Sequence, residues 1–122
     1  MIMSQLIVYQ YPKCSTCRKA VKWLESEGYE LQLKHIVDTP PSEDELKQFI
    51  TLSGLELKKF FNTSGEVYKE LGLKDKLASM SKEEQVALLA QHGKLIKRPI
   101  VSDGKQVTVG FKEEEYKEKW AK

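Results

Sequence analysis

Residues 8–30, VYQYPKCSTCRKAVKWLESEGYE, decide the reading of this chain, because the hydrophobic period changes within them around the pair Cys14 and Cys17. The run Gln5 to Tyr9 is apolar and β-branched, the profile of a short buried strand. Tyr11 and Pro12 break it. From Ser15 onward Ala20, Val21, Trp23, Leu24 and Glu27 follow the helical period, and Gly28 stands where a C-terminal cap belongs. The segment YELQLKHIV then alternates as a second strand, from about Glu30 to Ile36. The pattern predicts a strand, a helix and a parallel strand, with both cysteines at the strand-to-helix turn.

Outward from that unit the chain changes character. TPPSEDELKQFITLSG opens a helix on Ser42, with Glu45 three residues on to complete a capping box. Three shorter helical pieces follow, LELKKFF, SGEVYKELGL and SKEEQVALLAQHG, the last capped by Ser81 and Glu84. Residues 42–93 therefore read as a helical insertion between the second and third strands. RPIVSDGKQVTVG holds two short runs, Ile100–Val101 and Gln106–Val109, joined by a Ser-Asp-Gly hairpin turn. FKEEEYKEKWAK closes as an amphipathic helix offering Phe111, Tyr116 and Trp120 for packing. The expectation is one α/β domain over residues 1–122 with a mixed four-stranded sheet.

A chain of 122 residues with 40% hydrophobic content can build a core without staples. No basic region followed by a long apolar stretch opens it, and no run approaches the roughly 20 apolar residues that span a bilayer. With two cysteines and no leader pattern, the chain reads as cytoplasmic, where persistent disulfides are unusual. The net charge of +2 is too small to mark a nucleic-acid binder, and nothing suggests a membrane partner. Only two of the 20 basic residues are arginines, Arg18 and Arg98.

Three roles are open to the cysteines. A staple is weak, since a Cys-x-x-Cys loop constrains the unfolded chain little. Zinc needs about four ligands, and His35 and His92, the two histidines available, lack the spacing of a zinc finger. No metal and no bound cofactor is expected. Both histidines read as structural or surface residues, and Trp23 and Trp120 as packing. The third role is reaction. Cys14, placed just before the first turn of a helix, would receive unpaired backbone N–H groups and the positive end of the dipole. Lys13 and Arg18 add positive charge nearby in sequence. Cys17 lies about one turn on, in reach of a mixed disulfide formed at Cys14. Cys14 is then the nucleophile and Cys17 the resolving thiol.

The combination of YPKCSTCRKA, the helical insert and KRPIVSDGKQVTVGF resembles the glutaredoxin-coupled arsenate reductase family, which includes Spx-like transcriptional regulators. The resemblance runs from Leu6 to about Trp120. It implies a thioredoxin-like fold with a helical insertion, a cis bond between Arg98 and Pro99, and Cys14 as attacking cysteine. It implies that Arg98 and Arg18 hold an anion or keep the Cys14 thiolate ionised, in the way a guanidinium fork suits an oxyanion. Departures stand beside it. An arginine of the family's insert falls on Asn62, another falls at Gly110 and Phe111, and a histidine before the cysteine falls on Gln10. So thinned a cradle would stabilise an arsenate adduct poorly.

Two functions follow as expectations, beside a third in which the chain is a family relative whose substrate is neither arsenate nor a protein disulfide. One is a cytoplasmic thiol–disulfide oxidoreductase drawing electrons from glutathione, glutaredoxin or thioredoxin. The other is an Spx-like redox sensor that binds RNA polymerase. The regulators carry a tail beyond the last helix, whereas this chain ends two residues after Trp120, and it has no basic stripe. Both features favour the enzyme.

Overall fold

A computed structural model describes residues 5–63 and 65–121. The first four residues, Ser64 at the start of the piece SGEVYKELGL, and Lys122 at the end of the closing piece lie outside them. Four strands, β1 (Gln5–Gln10), β2 (Glu30–His35), β3 (Ile100–Ser102) and β4 (Val107–Val109), form one sheet in the order β2-β1-β3-β4. β1 and β2 are parallel, with Gln5 opposite Glu30 and Gln10 opposite His35. β3 runs antiparallel to both β1 and β4. The helices are α1 (Ser15–Ser26), α2 (Glu43–Ser53), α3 (Glu66–Glu70), α4 (Leu73–Lys76), α5 (Lys82–Gln91) and α6 (Glu113–Lys119).

Alternation along the strands builds a layer on each face. Leu6 and Val8 of β1 and Val101 of β3 pack with Ala20 and Leu24 of α1 and with Tyr116 and Trp120. Tyr9, Ile100 and Val107, pointing the other way, pack with Leu46, Phe49, Phe60 and Leu89 from the helical stretch between β2 and β3. This is a thioredoxin-like fold carrying a helical insertion. The polar groups taken into it are satisfied. The buried indole of Trp120 donates to Thr108 Oγ1 at 3.1 Å, and the Tyr116 hydroxyl donates to the Gly110 carbonyl at 2.9 Å.

Local sequence explains the helix starts. Ser42 Oγ accepts from the Glu45 N–H while Glu45 Oε1 accepts from the Ser42 N–H, and Ser81 with Glu84 repeats the arrangement. Tyr9 ties the first box to the sheet, its hydroxyl donating to Glu45 Oε2 at 2.9 Å.

Some boundaries differ from the sequence reading. β2 stops at His35. β4 begins at Val107, one residue late, because Asp103 Oδ1 accepts from the N–H groups of both Lys105 and Gln106 and draws Gln106 into the turn. The piece LELKKFF forms a 3₁₀ turn over Leu57–Phe60, SGEVYKELGL divides into α3 and α4, and helical turns continue to Leu95. No helix among the described residues is long and apolar enough to cross a membrane.

The end of the insert is fastened at several points, and this fixes the segment that enters β3. Phe61 bridges Ile96, the Asn62 N–H donates to the Leu95 carbonyl at 2.7 Å, and the Lys97 N–H donates to the Phe60 carbonyl at 2.8 Å. Gly93 runs against the chain after β2 so closely that a Cβ there would sit 1.9 Å from the Ile36 carbonyl oxygen. Backbone on both sides leaves that clash no side chain to move. Gly93→Ala should therefore destabilise the fold by about 2–3 kcal/mol, at the upper end for overpacking. A urea titration checks this; an unchanged midpoint would contradict the close approach.

Candidate active site

Cys14 is the N-cap of α1. Its backbone is extended (φ −91°, ψ 116°), and its side chain occupies the place usually held by a serine or aspartate oxygen. The Cys17 N–H donates to Cys14 Sγ at 3.3 Å. The turn before it is closed by the Cys14 N–H donating to the Tyr11 carbonyl at 2.9 Å. The sulfur thus stands at the positive end of a 12-residue helix that has no acidic residue in its first turn.

The two thiols are driven apart in acidity. Burial raises the pKa of Cys14 and is the largest single influence on it. Donation from the Cys17 thiol and backbone, with the N–H donors and charge of Arg98, outweighs burial and leaves the pKa below that of an ordinary thiol. Cys17 is fully buried beside it. Burial pushes its thiol up to about 12, against a hydrogen bond from the Tyr11 backbone and with the Cys14 charge adding to the rise. One sulfur is poised to ionise and the other to hold its proton. Both are free thiols.

Arg98 is positioned from three sides. Its Nη1 donates to the Lys94 carbonyl at 3.3 Å, its guanidinium lies over the Tyr11 ring at 5.0 Å from the centroid, and its own peptide bond to Pro99 is cis. Tyr11 is backed in turn by His35, the two rings meeting edge to face at 5.5 Å. His35 is occupied there, its Nδ1 accepting from the N–H groups of Val37 and Asp38. Among the described residues no three His, Cys, Asp or Glu side chains are grouped to hold a metal.

A cavity of about 270 Å³ opens over Cys14, lined among others by Thr16, Asn62, Lys97, Arg98 and Lys112. Asn62 stands at its wall, and so do Gly110 and Phe111, so the positions that depart from the family's arginines do face the thiol. Lys97 and Lys112 were not singled out in the sequence. Their signal was their adjacency to the two segments that were, Lys97 directly before Arg98 and Lys112 directly after Phe111. Gly110 keeps this wall low. It adopts φ +84°, donates its N–H to the Pro99 carbonyl at 2.8 Å, and would set a Cβ 3.2 Å from Lys97 Cε.

Arg18 does not line the Cys14 cavity, and neither it nor Lys13 is among the groups that shift the Cys14 thiol. One step along a helix turns a side chain by about 100°. Cys17 points inward with Ala20 and Leu24, so Arg18 is exposed and lines a separate cavity with Ser15 and Lys22. Lys13 is exposed, and the groups acting on the Cys14 thiol are burial, Cys17 and Arg98. Gln10 also belongs to the Arg18 cavity.

A thioredoxin-like fold with a cysteine pair at the head of α1 and a cis-proline in the same domain defines a class of thiol-bearing proteins. Within that class the chain belongs to the ArsC family, whose model matches residues 9–119. It is 60% identical over 116 residues to YusI of Bacillus subtilis, covering 95% of this chain and 98% of that protein. The crystal structure of an ArsC-family-related protein from Bacteroides fragilis superposes with a TM-score of 0.89 at 56% identity, over 93% of this chain and 95% of that one. More distant relatives divide by description. The global transcriptional regulator Spx of Bacillus subtilis is 32% identical, over 88% of this chain and 81% of its own length. A Vibrio cholerae arsenate reductase structure is 35% identical, over 88% of this chain and 91% of that one, with a TM-score of 0.81.

Arg98 is the side-chain cation whose donors and charge lower the Cys14 pKa. Arg98→Ala should raise the Cys14 pKa and slow its alkylation by iodoacetamide at pH 7 several-fold, moving the pH–rate profile to higher pH. A profile that does not move would remove Arg98 from the site.

Proposed function

We propose that this protein is a thiol–disulfide oxidoreductase in which Cys14 attacks and Cys17 resolves. The observation that carries the reading is the opposed acidity of two sulfurs within one helical turn, the outer one capped by the Cys17 N–H at 3.3 Å. Cys14 thiolate attacks one sulfur of a substrate disulfide. The Cys14–substrate bond forms, the substrate S–S bond breaks, and the departing thiolate takes up a proton. Formation of the mixed disulfide removes the charge at Cys14. Cys17 then gives up its proton and attacks Cys14 Sγ, closing the internal disulfide and releasing the second substrate thiol. An external thiol donor, glutathione or a dithiol protein of the glutaredoxin or thioredoxin type, returns the pair to its reduced state. The reducing cytoplasm supplies such donors.

Arg98, with Lys97 and Lys112 beside it, gives the cavity a preference for negatively charged groups next to the sulfur. Arsenate turnover is expected to be weak in this reading. One guanidinium remains in the cavity, and two ammonium groups do not present the planar paired donors that fit a tetrahedral oxyanion.

A second reading takes the same pair as a sensor. Oxidation would close the Cys14–Cys17 disulfide and alter a surface that meets RNA polymerase. It is favoured by the kinship to Spx and by the presence of a second cysteine where a single nucleophile would serve an oxyanion reductase.

The enzyme reading predicts that Cys17→Ser accumulates mixed disulfides at Cys14, visible by mass spectrometry, while Cys14→Ser abolishes disulfide reduction. Serine is itself a favoured N-cap, so Cys14→Ser should keep α1 and the melting temperature. Wild-type protein that reduces no disulfide with any of the three donors would end the enzyme reading. A pull-down of RNA polymerase that depends on the redox state would support the second.

A further inference from the structure

The side chain that leaves the thiolate site, Arg18, enters a groove with its own character. A cavity of about 620 Å³ lies between the exposed side of α1 and the sheet, where Gln10 of β1 and Leu33 of β2 line it. Pro12 and Ser15 bound it beside the reactive turn, Arg18, Lys19 and Lys22 rim it, and Leu33 forms part of its apolar wall. Leu33 is 50% exposed, an unusual setting for a large aliphatic side chain on a strand.

Charge here is one-sided. No aspartate or glutamate precedes Glu25, whereas Lys13, Arg18, Lys19 and Lys22 all do, so this stretch carries more positive charge than the +2 of the entire chain. Among the described residues no salt bridge joins any of the three cations on the rim to a carboxylate. Arg18 and Lys22 stand four apart on one helix face, where like charges repel. Among the described residues β2 pairs with β1 alone, at one edge of the sheet.

We propose that this groove docks an acidic segment of a redox-partner protein, with an apolar side chain of that segment seated against Leu33 while the partner's cysteine is presented to Cys14. The proposal rests on the thiol-exchange reading and names its partner by chemistry. Pro12 and Ser15 join the groove to the cysteine turn, so a chain lying in it continues over Cys14 within a few residues. A free small anion in the groove would not be carried to the sulfur, which faces the separate cavity of Lys97, Arg98 and Lys112. No bond is made in the groove; the exchange is the thiolate attack already described.

The test uses two synthetic peptides of equal length, each with one leucine and one cysteine held as a mixed disulfide with thionitrobenzoate. One carries Asp and Glu around the leucine, the other Asn and Gln. Release of thionitrobenzoate by the Cys17→Ser protein is followed by absorbance. The acidic peptide should react about tenfold faster than the neutral one at low salt, with the ratio falling as salt rises. In the triple variant Arg18→Gln, Lys19→Gln, Lys22→Gln the ratio should fall toward one. Taking the ratio within each protein cancels any change in Cys14 itself. A ratio near one in the parent, or one unchanged in the triple variant, overturns the proposal.

A second arm replaces the peptide cysteine with serine and reads binding by fluorescence anisotropy. The acidic peptide should bind the parent and bind the triple variant and Leu33→Ser at least severalfold more weakly. Docking without exchange would fell the thiol reading and sustain the groove. Exchange without charge preference would do the reverse.

Discussion

The N–H of Cys17 reaching Cys14 Sγ at 3.3 Å is the contact on which the site depends. It fixes where α1 begins and supplies the donor that the first turn would otherwise leave unmet. It also faces the Cys14 sulfur with the positive end of the helix. A single residue is thereby the cap of α1 and the more acidic of the two thiols. The arrangement holds because β1 delivers the turn rigidly. Leu6 and Val8 are buried under α1, Tyr9 under the insert, and the Cys14 N–H closes the turn on the Tyr11 carbonyl. The sequence needs only one further property to separate the thiols, that the next turn of the helix place Cys17 inward.

The helical insert matters to the chemistry because of how it ends. Its contacts through Asn62, Phe60 and Gly93 set the path of residues 93–97. That path decides where Arg98 emerges. Lys94 then accepts from the guanidinium, and Tyr11 supplies an aromatic face for it. Arg98 is therefore held by groups from β1's exit and from the end of the insert at once. A lysine at this position would keep the charge and lose the stacked, forked geometry. The opposite face of the cysteine turn follows a different logic. Its cations are exposed, have no salt-bridge partner among the described residues, and line one cavity with the half-exposed Leu33.

Much of the fold was legible in the sequence because it is written in local signals. The change of period between Tyr9 and Ser15, the boxes begun by Ser42 and Ser81, and the hairpin around Asp103 each lie within a few residues of what they specify. The pair Cys14 and Cys17 was legible for the same reason, since cap position and one-turn spacing are local properties. Other features are set at long range. Whether Arg18 faces the sulfur turns on a single helical step. That step is decided by which stripe of α1 the sheet buries, and a side chain adjacent in sequence can end in a different cavity. Lys97 and Lys112 meet Asn62 only after β3, β4 and the insert have come together. The division of residues 57–79 into short turns likewise answers to the shape of the Tyr68, Leu73 and Leu77 packing rather than to any periodic run.

The central claim is that this turn separates the ionisation of two adjacent thiols, and one titration addresses it. Thiolate absorbance near 240 nm, followed from pH 4 to 12 in the reduced protein, should rise in two distinct steps. The first should come below the free-thiol value of about 8.5, and the second should still be incomplete at the alkaline limit. Two thiols ionising together near or above that value would contradict the account.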